Sequence, residues 1–279
     1  MTGLLWRKLR ADRRATLGLG AVTILVVLAI AAPLVSRWDP TAIALANQLQ
    51  PPSMAHWLGT DLQGRDVWAR LIYGARISLS VGFLSQGIAL SIGLTLGLIS
   101  GFYGKWVDET VMRLADVTLA FPSLLLLIAL AAAFEPSLGT VLVTIGVVGW
   151  AGMARLVRSQ VLVLRRAEFV LAAQALGALD RRVLLRHLLP NVRTQVIIAA
   201  TLGIAGAIMA EAALSFIGLG AQPPTPSWGA MVADGRDLLR VAPWVSFAPG
   251  IAIGIAVLGF NLVGDALREA YDPRLRTER

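Results

Sequence analysis

Six stretches of this chain carry almost no charge, and each is long enough to cross a lipid bilayer. They lie at about 15–35, between Arg76 and Lys105, between Asp116 and Glu135, between Glu135 and Arg155, from Arg193 to about Gly218, and between Arg240 and Asp265. A hydrocarbon layer of ~30 Å needs about 20 residues at ~1.5 Å each. Within that layer every backbone N–H and C=O must be paired inside the protein, so only helices or closed barrels can span it. Barrel strands alternate apolar and polar residues, whereas these runs are continuous. The predicted fold is all-α, a polytopic membrane bundle of six transmembrane helices. Composition agrees, because charged residues make up 15% of the chain, against about a quarter in soluble proteins.

The first run follows Arg7, Lys8, Arg10, Arg13 and Arg14 and contains Ala29 and Ala31 in signal-peptide spacing. Its apolar length of ~20 residues exceeds the ~7–15 of a signal peptide, so an uncleaved first span is expected. Of the 25 lysines and arginines, 19 fall on the side of the two termini and 6 on the other. The positive-inside rule then puts both termini in the cytoplasm. The expected organisation is a basic N-terminus (1–15), a first span (16–36), an outer loop (37–76), and a core of five spans (77–266). The core contains a cytoplasmic loop (156–193) and an outer loop (219–243), and a cytoplasmic tail follows (267–279). The same rule accounts for the net charge of +8 without a nucleic-acid partner.

Gly93, Gly97 and Gly101 in the second run, and Gly250 and Gly254 in the sixth, have the spacing that lets membrane helices approach closely. Pro122 is expected to kink the third span. Arg113 with Asp116, and Asp265 with Arg268, have the i,i+3 spacing of helical ion pairs. Glu211 is the charge set deepest in an apolar run, and such a group is a functional candidate. Counting from the start of its run places it about 25 Å up the helix, near the outer interface.

Enzyme chemistry finds little support. The chain has no cysteine, and His56 and His187 are far apart in sequence. No phosphate-binding Gly-x4-Gly-Lys-Ser/Thr loop, His-Glu-x2-His pair or Gly-x-Ser-x-Gly elbow is present. No metal site and no cofactor of its own are expected.

Residues 155–193 are too elaborate for a simple connection. A helix is expected over Val161–Leu176, with Gly177 as its stop. Asp180 is expected to cap a second short helix, Arg181–Leu189, and Pro190 to lead into the fifth span. Ala172 and Ala173 leave room for close approach by a partner.

This segment resembles the coupling loop of permease subunits of ATP-binding-cassette (ABC) importers. Ala172, Ala173, Gly177, Leu189 and Pro190 match its Glu-Ala-Ala, x3, Gly, x9, Ile, x, Leu-Pro pattern. Leu171 stands where the family often has Glu, and His187 where it often has Ile. Residues 56–82, 211–236 and 260–274 are similar to segments of the dipeptide, oligopeptide and nickel branch, in its second, six-span permease subunit. The resemblance implies a type I importer permease fold in a bacterial plasma (inner) membrane. The implied partners are a homologous permease, two ATPase subunits that bind ATP and Mg, and an extracytoplasmic solute-binding protein, with lipid around the spans. It implies ATPase contact at Leu171, Ala172, Ala173, Gly177, His187, Leu189 and Pro190. Asp61, Gly64, Arg65 and Glu211 are candidates for an outer loop or gate. The expected cargo is di- or oligopeptides. A nickel or metal-chelate importer and an ion-coupled carrier are the competing readings.

Overall fold

The computed structural model describes residues 12–271. Arg7, Lys8 and Arg10 and the chain beyond Tyr271 lie outside the described residues. Among the described residues there is no strand, only a single bridge between Thr60 and Asp66.

Helix α1 (Arg13–Val35) starts where the Asp12 carboxylate accepts from the Arg14 N–H at 2.8 Å. This is the usual repair of unpaired donors at a helix start. Helix α2 (Val67–Tyr103) is capped in the same way, by Asp66 on the Ala69 N–H at 2.7 Å. The cap moves its start well ahead of Arg76, so the first turns carry Arg70 and Arg76 as helical residues. Gly104, at φ 66°, ends it, a left-handed conformation that glycine adopts freely. Then come α3 (Lys105–Ala120), α4 (Ser123–Ala132) and α5 (Leu138–Leu164). Helix α6 (Glu168–Ala175) and the single turn α7 (Asp180–Arg182) follow. A π-helical segment (Val183–Leu188) continues α7 into α8 (Leu189–Phe216). The chain finishes with α9 (Trp228–Gly235) and α10 (Trp244–Tyr271).

Five helical runs are long and apolar enough to cross a membrane: α1, α2, α5, the run Asp180–Phe216, and α10. The remaining expected span is a bent pair, with α3 and α4 meeting at 91°. The expected kink at Pro122 is therefore a complete break. Proline lacks the N–H a helix needs and disfavours helical geometry in the residue before it, and Phe121 is extended (φ −88°, ψ 142°). Alone, the 10 residues of α4 reach only about 15 Å.

Close helix contacts follow the glycines in part. A Cβ on Gly93, Gly97 or Gly101 would come within 2.8 Å of α5 atoms at Met153, Val157 or Val161, so this face is the α2–α5 seam. Among the described residues, Gly250 and Gly254 have no atom within 4 Å of such a Cβ. The α1–α10 crossing instead uses Gly18 against Leu262 and Gly259 against Val22. One buried core joins α1, α2, α8, α9 and α10 around Ile208, Trp228 and Phe260. A second joins α2, α5 and α8 to Val170 of α6 and to Val183 and Leu188 of the π-helical segment.

The ion pairs differ from those expected. Asp116 accepts from Arg155 of α5 at 2.6 Å, and Arg113 pairs with Glu109. The i,i+4 and interhelical partners lie within reach, and they displace the i,i+3 pairing. Asp265 and Arg268 form no ion pair with each other among the described residues.

Candidate functional site

Two sites stand at opposite ends of α2. At its carboxyl end, α5 runs on past Arg155 to Leu164, and Arg165 caps it. The Arg165 guanidinium donates to the Gly101 carbonyl at 3.1 Å and reaches Phe102 at 3.5 Å. It thus holds the last carbonyls of α2, where a cation is favoured. Arg158 makes a two-point contact with Asp108 of α3, its NH2 at 2.6 Å. The start of the following loop is thereby tied to three helices.

The loop then turns. The expected single helix over Val161–Leu176 is interrupted at Arg165–Ala167, and α6 begins at Glu168. Gly177 takes φ +78° and reverses the chain as expected. Asp180 is not the cap: Leu179 holds that position without a side-chain bond, and Asp180 is the first helical residue. Pro190 comes just after the π-helical segment, inside the continuous helical run, where its missing N–H leaves one helical carbonyl without that partner. It marks no change of direction, because Asp180–Phe216 is one 37-residue helical run.

Burial divides this loop into two faces. Val170, Val183 and Leu188 are fully buried against α2, α5 and α8. Leu171, Ala172, Gly177 and Pro190 are exposed, and Ala173, His187 and Leu189 are half-buried. His187 lies 6.5 Å from the Phe169 ring, and Leu189 packs on the core. The structure thus brings Leu171, Ala172, Ala173 and Gly177 to one accessible turn and draws Leu189 inward. Sequence reasoning missed Leu176 and Leu179, which are 89% and 79% exposed. Beside them Leu179, Leu185, Arg181, Arg182 and Arg186 line an open cleft. The sequence signalled only Leu185, which falls off the buried Val183–Leu188–Val192 stripe; Leu179 keeps that stripe's four-residue spacing and stands exposed ahead of the helix. Exposed apolar residues grouped like this, rimmed by charge, mark interaction surfaces.

At the amino end of α2, Asp61 and Arg65 come together in an ion network. Asp61 accepts from the Arg65 backbone N–H (2.9 Å), the Gln63 N–H (2.9 Å) and Arg65 Nε (2.6 Å). Arg70 of α2 stands 3.5 Å from the same carboxylate. Asp234 of α9 meets Arg65 at 3.5 Å and Arg70 at 3.4 Å. Gly64, at φ +73°, shapes the turn, and a Cβ there would strike the Ala44 carbonyl. Asp61, Arg65 and Arg70 are buried, so these charges are structural ties and not a solvated surface. Burial pushes the Asp234 carboxyl above its ordinary value, and Arg70 and Arg65 oppose that shift.

Glu211 forms a separate site where α2, α8 and α9 meet. It is fully buried, and accepts from Ser78 Oγ at 2.9 Å and Ser215 Oγ at 2.7 Å. Ser78 Oγ in turn accepts from the Trp228 N–H at 3.3 Å. The carboxylate therefore pins α9 onto two membrane helices. Ser78, which sequence reasoning did not single out, is the missing partner.

Residues 93–277 match the family model described as binding-protein-dependent transport system inner membrane component. Residues 1–52 match that of the N-terminal transmembrane domain of oligopeptide transport permease C. The chain is 46% identical over 272 residues to a dipeptide transport system permease protein of Alkalihalophilus pseudofirmus, covering 98% of this chain and 90% of that one. It is 43% identical over 276 residues to an oligopeptide transport system permease protein of Bacillus subtilis, covering 98% and 90%. An inward-facing structure of the MetNI methionine ABC transporter shares the fold, with a TM-score of 0.60 at 20% identity over 73% of this chain and 97% of that one.

Proposed function

The chain belongs to the family of binding-protein-dependent transport system inner membrane components, and from that premise we propose that it is a permease subunit of an ATP-driven importer of short peptides. The observation that carries the cargo class is the 43–46% identity, over nearly the whole chain, to permeases of dipeptide and oligopeptide systems. The chain provides one part of the pathway and a homologous permease the rest. Two ATPase subunits bind ATP and Mg and do the hydrolysis, and an extracytoplasmic binding protein delivers the cargo. Both termini and residues 156–193 face the cytoplasm of a bacterial inner membrane, and residues 37–76 and 219–243 face outward.

The loop face of Leu171, Ala172, Ala173 and Gly177, extended by Leu176 and Leu179, rests on an ATPase. His187, Leu189 and Pro190 support it from behind. Small side chains in close packing leave little slack, so displacement of the ATPase moves the loop. The buried Val170, Val183 and Leu188 and the Arg165 tie pass that displacement to α2, α5 and α8. This is rigid-body switching between packed halves. At the other end, the Asp61–Arg65–Arg70–Asp234 network and Gly64 hold the outer loop as a firm surface for the binding protein. Glu211 keeps α9 registered on the bundle.

The test is uptake by proteoliposomes holding the full complex, with native mass spectrometry of the binding protein as isolated. Short peptides on the binding protein, and ATP-dependent peptide uptake, are expected. Nickel or a metal chelate there would replace the cargo reading. Uptake driven by an ion gradient without ATP would overturn the importer reading itself.

A further inference from the structure

The cleft that follows the docking turn is built differently from the turn itself. Leu179, Arg181, Arg182, Leu185 and Arg186 surround about 320 Å³ of open space. The two leucines are 79% and 48% exposed, and all three arginines are exposed. None of the three has a carboxylate within ion-pair distance among the described residues, and neither Asp180 nor Glu168 pairs with them. Earlier arginines of the loop are committed, Arg158 to Asp108 and Arg165 to the end of α2. Helix stability does not account for the cluster. Arg181 and Arg182 stand in the first turn of the run Asp180–Phe216, where the helix dipole disfavours a cation. Topology accounts for basic residues on this side of the membrane, but not for their gathering around two exposed leucines. Residues 171–179 carry no charge at all, so any charge complementarity with a partner on this face falls to the arginines that follow.

We propose that this cleft takes an acidic segment of an ATPase subunit, with carboxylates on Arg182 and Arg186 and an apolar side chain over Leu179 and Leu185. This rests on the permease reading above and adds the chemistry of the partner's surface. Guanidinium groups hold carboxylates by paired hydrogen bonds, and exposed apolar residues rimmed by charge mark interaction surfaces. Leu179 belongs to the turn and to the cleft, so one partner covers both. Placement decides for protein over lipid headgroups. The 37-residue run Asp180–Phe216 is about 55 Å long. Hydrocarbon takes ~30 Å of it, and each headgroup layer adds about 5–7 Å. With Phe216 at the outer edge of the hydrocarbon, Arg186 and Arg182 stand roughly 15–21 Å past its inner edge, beyond the headgroups. A tilt of about 20° draws them back by only about 3 Å.

The test uses the intact complex in nanodiscs that include phosphatidylserine. Arg182→Lys and Arg186→Lys each keep the charge and supply an amine, and lysine otherwise occurs only at positions 8 and 105 of this chain. A water-soluble carbodiimide joins that amine to a carboxylate only in direct contact. The expected product is a bond from position 182 or 186 to an Asp or Glu of an ATPase subunit, weaker in about 0.5 M salt, where charges are screened within a few ångströms. The double variant Arg182→Gln with Arg186→Gln should retain the ATPases about five-fold less well at low salt and lose most of the salt dependence. Both positions are exposed, so these variants keep the fold. No ATPase adduct from 182 or 186, with wild-type retention at every salt concentration, would overturn the acidic cleft. Adducts to phosphatidylserine alone would give the cleft to the membrane and overturn it as well. Leu176→Cys separates the two levels: if it still cross-links to an ATPase, the docking turn stands and only the cleft falls, and if it does not, the docking reading falls too.

Discussion

Asp61 is a carboxylate buried to 2% exposure and held by two arginines, an arrangement with a sharp energetic signature. Removing one member of a buried ion network strands the others, at a cost of about 3–5 kcal/mol. Asp61→Ala should therefore lower the thermal stability of the purified complex by many degrees. Neutralising the exposed Arg236–Asp237 pair should change it by no more than about 0.5 kcal/mol. Glu211 makes a similar prediction at smaller scale. Glu211→Leu leaves Ser78 and Ser215 without their acceptor, at roughly 1–3 kcal/mol. Hydrogen exchange should then show faster opening at residues 228–235 before any change at the α2–α5 seam. The sequence allowed Glu211 to be picked out as a charge inside an apolar run, and Asp61 and Arg65 as charges of an outer loop that resembles the permease family. Their partners were hidden. Asp234 meets Arg65 across 169 positions and Ser78 meets Glu211 across 133, and no local spacing announces such a pairing.

At the level of elements, periodicity located the apolar runs but not where the helices begin and end. Asp66 and Arg165, both charged, cap α2 and α5 beyond the uncharged runs. Arg70, Arg76, Arg155 and Arg158, charged and at or beyond the ends of those runs, are helical all the same. Pro122 showed the reverse error, because the apolar run continues through a position where the backbone cannot. The glycine spacing was read from one rule yet gave two outcomes. Gly97→Leu should force α2 from α5 and cost about 1–3 kcal/mol, seen as a lower melting temperature. Gly254→Leu, with open space around it, should leave the fold of this chain unchanged. In the turn, Gly177→Val puts a branched side chain at φ +78°. Left-handed backbone costs such a residue about 1–2 kcal/mol or more. Hydrogen exchange at 168–188 should rise while global melting stays nearly constant, and transport should fall with it.

The whole molecule places an exposed, small and apolar turn at one end of α2 and a buried ionic brace at the other, with packed helices between. Its membrane architecture and family were legible from apolar run lengths and from the Ala-Ala, Gly and Leu-Pro pattern. The division of the loop into a buried stripe and an accessible face was not, since leucines stand on both. That division underlies the central proposal, that an ATPase drives this chain through residues 171–179. The chain has no cysteine, so a single introduced thiol reports its own surroundings. The measurement is cross-linking, in the intact complex, from Leu176→Cys, Leu179→Cys and, at the opposite end, Met54→Cys, using a short thiol-to-amine reagent. The expected products join positions 176 and 179 to an ATPase subunit, more strongly in one nucleotide state than the other, and none from position 54. An ATPase adduct from position 54, or none from 176 and 179 in any nucleotide state, would contradict the docking role.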